Sequence, residues 1–170
     1  MGPDTGPPVR WFPAYVGIGS NLGDPPERVR AALARLASLP LTRLECRSEL
    51  YGSAPMGPVA QPDYCNAVAG LLTQLEVSSL HAALRDLERQ LGRESSRERW
   101  GPRVIDLDLL MYADERRNDA ELTLPHAGIA ERNFVLQPWR EIAPELLIPG
   151  LGRVAELAAR LPATGLWRMA

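Results

Sequence analysis

At 170 residues, 45% apolar and 24% charged, the chain is long enough to bury one real core and reads as a single globular domain. Its net charge of −2 supplies no overall pull towards nucleic acid or a membrane surface. No stretch is apolar over the length a bilayer needs and no signal-peptide pattern stands at the N-terminus, so a cytoplasmic protein is expected. Lysine is absent and all 19 basic residues are arginine, which excludes a P-loop lysine, the lysine of protein kinases and Schiff-base chemistry. With only His81 and His126, a multi-histidine metal site is not expected. Cys46 and Cys65 lie in strand-like runs and read as reduced structural thiols.

In chain order, residues 1–13 are rich in Pro and Gly, lack periodicity and are expected to form a flexible leader to a single domain over 14–170. Tyr15 to Ser20 reads as a strand. Asp24 is placed to cap a helix that starts at Pro25 and Pro26 and carries the stripe Val29, Ala32, Leu33, Leu36. Leu44, Cys46, Ser48 and Leu50 alternate with polar residues as in a strand with one wet face. A loop over 52–63 follows, then a strand from Cys65 to Leu75. Ser78 or Ser79 is expected to cap a second helix with the stripe Leu80, Ala83, Leu84, Leu87, Leu91, ended by Gly92. A second long loop, 92–102, leads to a strand containing Asp106 and Asp108. A short strand at Leu122–Leu124 and helical patterns near 131–140 and 153–160 complete the chain. The order strand, helix, strand, strand, helix, strand predicts an α+β fold: a ferredoxin-like βαββαβ core with an antiparallel sheet and extra C-terminal elements in three αβα layers.

The richest segment runs from Arg99 to Leu110. Asp106 and Asp108 interrupt an apolar run at a spacing of two, which puts both carboxylates on one face of a strand. Two adjacent acids repel each other and resist dehydration, so a cation between them is the natural solution. Carboxylate oxygens suit Mg²⁺, which shares its remaining positions with water and substrate phosphates. Residues 85–103 hold six arginines against four acids. Arg85 and Arg89 sit on a helix among acids and read as ordinary ion pairs, whereas Arg93, Arg97, Arg99 and Arg103 border the loop before the acid pair and suit phosphate oxygens. Gly17-Ile18-Gly19-Ser20-Asn21-Leu22-Gly23 has the wrong spacing for a dinucleotide fingerprint and reads as a tight turn. Asn66, opening a strand behind Tyr64, offers donors and an acceptor to a flat heterocycle, or caps a turn.

Taken together, these segments resemble one family: the 6-hydroxymethyl-7,8-dihydropterin pyrophosphokinases of folate biosynthesis. The resemblance covers about residues 14–150. It rests on Tyr15–Gly23, Gly57-Pro58, Gln61 to Ala67, Gly92-Arg93, the whole run Arg99 to Leu110, Leu122 to His126, Arg132, Phe134 and Glu141 to Leu146. It implies transfer of pyrophosphate from ATP to the pterin hydroxymethyl group, with two Mg²⁺ held by Asp106 and Asp108 and with Arg93 and Arg103 as catalytic arginines. It implies ATP contacts from Glu88, Arg97, Arg99, Trp100, Leu109, Thr123, His126 and Arg132. Pterin contacts would come from Ser53, Ala54, Met56, Gly57, Tyr64, Asn66, Trp100, Asp106 and Phe134. Ser95, Glu121 and Ala127 stand where other members carry a second loop arginine, a basic residue and an aromatic. The implied partners are small molecules, with no nucleic acid, no membrane and a monomeric chain. The competing readings are a non-catalytic nucleotide- or RNA-binding module on a ferredoxin-like sheet, and Mg²⁺-dependent transfer to a different heterocycle.

Overall fold

A computed structural model of the chain describes residues 6–94 and 101–170. Arg97, Arg99 and Trp100 lie outside the described residues.

The first strand, β1 (Phe12–Ser20), begins three residues earlier than its sequence pattern suggests. Phe12 stacks on Tyr112, and the Pro13 carbonyl accepts from Ala113 N–H, so these residues belong to the sheet rather than to a leader. Helix α1 (Pro25–Ala37) starts as expected. The Asp24 carboxylate accepts from Glu27 N–H at 3.2 Å, and Pro25 needs no N–H partner at the first helical position.

The alternating run after α1 divides into two strands, β2 (Thr42–Arg47) and β3 (Tyr51–Ser53). Both lie along the same edge of β4 (Tyr64–Thr73), β2 beside its C-terminal half and β3 beside its start. Ser48 sits at the break, where its hydroxyl accepts from Val68 N–H at 3.0 Å in place of a ladder bond. Helix α2 (Val77–Gln90) begins one residue before the expected serine caps. Glu76 occupies the cap position without a side-chain bond, and Ser78 serves elsewhere, accepting from Arg117. Strand β5 (Asp106–Tyr112) then closes the core.

Smaller elements follow: β6 (Arg117–Asn118) with β7 (Thr123–Leu124), α3 (Asn133–Ile142), β8 (Leu147–Ile148) with β9 (Gly152–Arg153), α4 (Val154–Ala159) and β10 (Leu166–Arg168). The last strand had no signal in the sequence. It pairs with β3, and Trp167 covers Gly52 so closely that a Cβ there would stand 2.1 Å from the indole.

The main sheet runs β10-β3-β4-β1-β5 with β2 also on β4, all pairs antiparallel. Side chains alternate across it, so each strand feeds two cores. Leu107 and Leu109 join Val29, Leu36, Leu80 and Leu84 under α1 and α2. Val68 and Leu110 join Leu136, Trp139 and Leu157 under α3 and α4. This is the expected ferredoxin-like fold in three αβα layers. The second face is covered only in part, and the uncovered end of β1, β4 and β5 is where the polar side chains gather.

Leu36 is wholly buried on the first face. Leu36→Ala is expected to lower unfolding free energy by about 2–5 kcal/mol in a urea titration; a loss below about 1 kcal/mol would show that α1 is not part of the core.

Candidate active site

Three adjacent strands form the floor of the site. In the antiparallel register Asn66 lies opposite Gly19, and Gly19 opposite Asp106. Directly paired residues point to the same face, so Asn66 and Asp106 look out side by side across a glycine. Two strand spacings separate them, roughly 10 Å. Gly19 keeps that space bare: a Cβ there would stand 3.5 Å from Asn66 Oδ1 and 3.8 Å from the Tyr64 ring. Gly17 does the same beside Asp108, with Leu110 3.4 Å from where its Cβ would be. The Gly-x-Gly of β1 is therefore a floor between two walls.

Above this floor is a cleft of about 380 Å³. Arg93, Arg103, Asp106 and Asp108 line it together, as do His126 and Arg132. Of the residues expected at a pterin, Ser53, Ala54, Met56, Tyr64, Asn66 and Phe134 also line it. Gly57, Glu88, Leu109 and Thr123 are not on its wall. Leu109 points to the opposite face of β5 and is buried in the first core.

Glu88 is only 2% exposed, and both its oxygens face inward. Oε1 accepts from Leu107 N–H at 2.7 Å; Oε2 meets Arg93 at 2.6 Å and Arg85 at 3.0 Å. Arg85 also donates to the Leu107 carbonyl. β5 is an edge strand, and these two residues satisfy the backbone groups of the residue lying between the two acids. The sequence places Arg85 in an ordinary surface pair, but its partner is a buried carboxylate. Burial raises the Glu88 pKa, and the Leu107 N–H and the two arginines oppose that rise.

Arg93 bridges Glu88 and Asp106, 2.8 Å from the latter. Asp106 is pushed up to about 6, first by burial and then by the charge of Asp108, with Arg93 acting against both. Asp108 has more distant neighbours, the ring Nε2 of His126 and the guanidinium of Arg132, each at 3.9 Å. His126 Nδ1 accepts from Gly128 N–H at 3.1 Å, which assigns the ring proton to Nε2, facing Asp108. Burial lowers the His126 pKa and favours that neutral form.

The sequence reading missed Asn21 as a structural hub. It is almost fully buried, and its backbone N–H donates to the Arg103 carbonyl at 3.0 Å. Its Oδ1 accepts from Arg103 N–H at 2.8 Å, while Nδ2 donates to Gln61 Oε1 at 2.9 Å and to the Pro62 carbonyl at 3.0 Å. Ser20 donates to the Val104 carbonyl at 2.6 Å. The turn after β1 thus ties the 54–63 loop to the segment just before the acids. The Ser-Asn pair was a possible signal, since both residues bond backbone groups readily.

Asn66 is 4% exposed, and Nδ2 donates to the Tyr51 carbonyl at 3.2 Å and to Ser53 Oγ at 2.8 Å. A carbonyl can only accept, so the amide orientation is fixed and Oδ1 is the atom left facing the cleft. Tyr64 donates to Gln61 Oε1 at 3.3 Å, and burial holds its hydroxyl in the neutral form.

The donor set suits a hard divalent cation. Two carboxylates, with 30% and 35% of their side chains exposed, share one cleft, and one resists ionisation without a neighbouring cation. Among the described residues no third His, Cys, Asp or Glu joins them, which leaves coordination positions for water and phosphate.

Comparison with known proteins is decisive at this point. The family model for 7,8-dihydro-6-hydroxymethylpterin-pyrophosphokinase matches residues 15–144. The chain belongs to this family. It is 42% identical over 144 residues to the 2-amino-4-hydroxy-6-hydroxymethyldihydropteridine pyrophosphokinase of Haemophilus influenzae, covering 85% of this chain and 89% of that one. It is 41% identical over 155 residues to the enzyme of the same name from Pseudomonas aeruginosa, covering 91% and 95%. Among solved structures, Plasmodium falciparum HPPK-DHPS with pteroate shares the fold with a TM-score of 0.70 at 12% identity. That match covers 91% of this chain and 43% of the parasite chain, so this chain spans under half its length.

A pH dependence follows from Asp106. Its folded pKa of about 6 lies above the unfolded value of about 3.9, so the fold binds the proton more tightly than the open chain does. The stability this confers is full below about pH 4 and is lost as pH rises through about 6. Asp106→Asn is therefore expected to raise the melting temperature at pH 7.5 in metal-free buffer, with the gain vanishing by about pH 4; a lower melting temperature at pH 7.5 would contradict it.

Proposed function

We propose that this chain transfers the β,γ-pyrophosphoryl group of ATP to the hydroxymethyl oxygen of 6-hydroxymethyl-7,8-dihydropterin, a step of folate biosynthesis. The acceptor oxygen bonds to the β-phosphorus, the bond from that phosphorus to the α–β bridging oxygen breaks, AMP leaves, and the hydroxyl proton passes to solvent. The observation that carries this reading is the row Asn66–Gly19–Asp106. It sets a heterocycle-reading amide and a phosphate-side carboxylate about 10 Å apart on a bare floor. That span suits a flat bicyclic ring with a one-carbon arm reaching towards the acids.

On the acceptor side, Asn66 Oδ1 would accept from a ring N–H or amino group of the pterin, with Phe134 and Tyr64 against its faces. On the donor side, Asp106 and Asp108 would hold Mg²⁺, two ions in our reading, which when bound neutralises phosphate charge and aligns the transfer. Arg103, Arg132 and His126 line the same end and would take phosphate oxygens. Arg93, now shared between Glu88 and Asp106, would turn to the triphosphate as it arrives. Arg97, Arg99 and Trp100 are assigned to ATP, and Trp100 also to the pterin, on the family resemblance alone. Glu88 supports the site through Arg93, and Leu109 and Thr123 are nucleotide-side candidates through their strands. No helix among the described residues is long and apolar enough to cross a membrane. A cytoplasmic, monomeric enzyme is part of the proposal on the family resemblance alone.

Incubation with ATP, Mg²⁺ and the hydroxymethyl dihydropterin is expected to release AMP, to stop when EDTA is added and to resume with excess Mg²⁺. Asp108→Ala is expected to cut the rate about a thousand-fold or more, the scale of losing several kcal/mol of charge stabilisation. Background AMP release from folded protein, or turnover indifferent to EDTA, would overturn the assignment. Salt-sensitive RNA binding without AMP release would favour the binding-module alternative.

A further inference from the structure

The acceptor end of the cleft depends on a strand that is too short to hold itself. β3 has three residues, yet its Tyr51 carbonyl and Ser53 hydroxyl are the two groups that orient the Asn66 amide. The opposite wall is Phe134, at the start of α3. The width of the slot between these walls is the distance from α3 to β3.

One side chain bridges that distance directly. Glu141 lies seven residues after Phe134, two turns along the same face of α3. Its Oε2 accepts from the Tyr51 hydroxyl at 2.6 Å, and its Oε1 accepts from Glu49 N–H at 2.9 Å. Both oxygens are therefore committed to the two ends of the 49–51 segment. The Tyr51 pKa is pushed up to about 12, first by burial and then by the bond to Glu141, so the hydroxyl remains a donor throughout the working range. On its other edge, β3 is held by β10 and by a bond from Ala54 N–H to the Gly165 carbonyl at 3.0 Å. Asn133, beside Phe134, donates to the Pro162 carbonyl at 2.9 Å. The C-terminal segment thus reaches both walls, and Glu141 joins α3 to the 49–51 segment directly with a charged acceptor for two donors.

We infer that Glu141, through Tyr51, is a positioning residue for acceptor recognition: it fixes the Asn66–Ser53 wall relative to Phe134 without touching the substrate. The inference rests on the pyrophosphokinase reading for the identity of the acceptor. It places acceptor affinity under a residue on the outer surface of the molecule, remote from the acid pair.

The test uses the full chain with Mg²⁺ and a non-hydrolysable ATP analogue, titrated with 6-hydroxymethylpterin and followed by pterin fluorescence. Glu141→Ala and Tyr51→Phe are each expected to weaken pterin binding about fivefold to tenfold, the scale of one lost charge-assisted hydrogen bond. The double variant should be no weaker than Glu141→Ala by more than about twofold, because both changes break the same link. Glu141→Gln should recover most of the affinity, since its amide can accept from Glu49 N–H and donate to the Tyr51 oxygen. Affinity for the ATP analogue, and kcat at saturating dihydropterin, should stay within about twofold of the unmodified chain. Unchanged pterin affinity in Tyr51→Phe and Glu141→Ala would overturn the inference. Equal losses for pterin and nucleotide would also overturn it, by showing a general loosening. The unmodified chain reports on the underlying reading separately: if it neither binds the pterin nor releases AMP, that reading fails whatever the variants do.

Discussion

The repulsion between Asp106 and Asp108 is the constraint around which this molecule is built. Strand alternation forces both carboxylates to one face of β5, and burial makes their joint ionisation costly. Around them lie a guanidinium 2.8 Å from Asp106, a histidine and a second guanidinium 3.9 Å from Asp108, and an open cleft towards phosphate-sized space. Glu88 extends the same logic one layer inward. It is a buried anion whose stability requires Arg93 and Arg85, so it brings Arg93 to the acid pair. An anion held by cations that themselves suit phosphate is a site prepared for a charged ligand.

The fold supplies the opening. α1 and α2 pack over the core of one face of the sheet, whereas α3 and α4 cover the other where Trp139, Leu136 and Leu157 pack. Phe134 stands at the boundary between that packed region and the cleft. Glycines 17 and 19 keep the exposed stretch of β1 flat, and Asn21 just beyond it binds both bordering loop segments through four hydrogen bonds. The two ends of the cleft are therefore anchored to one turn, which makes their spacing a property of the sheet rather than of the loops.

Much of this was legible in the sequence, and for definite reasons. The stripes of α1 and α2 and the acid pair at a spacing of two are local patterns, and local patterns follow from helix and strand geometry. That Arg93 and Arg103 share a cleft with the acids was legible from their charge and their place before them. What escaped notice depends on partners far along the chain. β10 and the break between β2 and β3 are set by pairing with residues about 115 and 20 positions away. Ser78 looked like a cap, but its hydroxyl answers Arg117 instead. Arg85 looked like half of a surface pair because nothing in its local sequence shows that Glu88 is buried. Asn21 read as part of a turn because its partners Gln61 and Arg103 lie on two separate segments.

The most direct test of the central claim is a count of metal at the acid pair. With a non-hydrolysable ATP analogue present, Mn²⁺ titrated into the chain and followed by electron paramagnetic resonance is expected to bind at two sites per chain. In the Asp106→Asn, Asp108→Asn double variant both sites should be lost or weakened at least about a hundred-fold. Unaltered stoichiometry and affinity in that variant would contradict the claim that these two carboxylates organise the site around a cation.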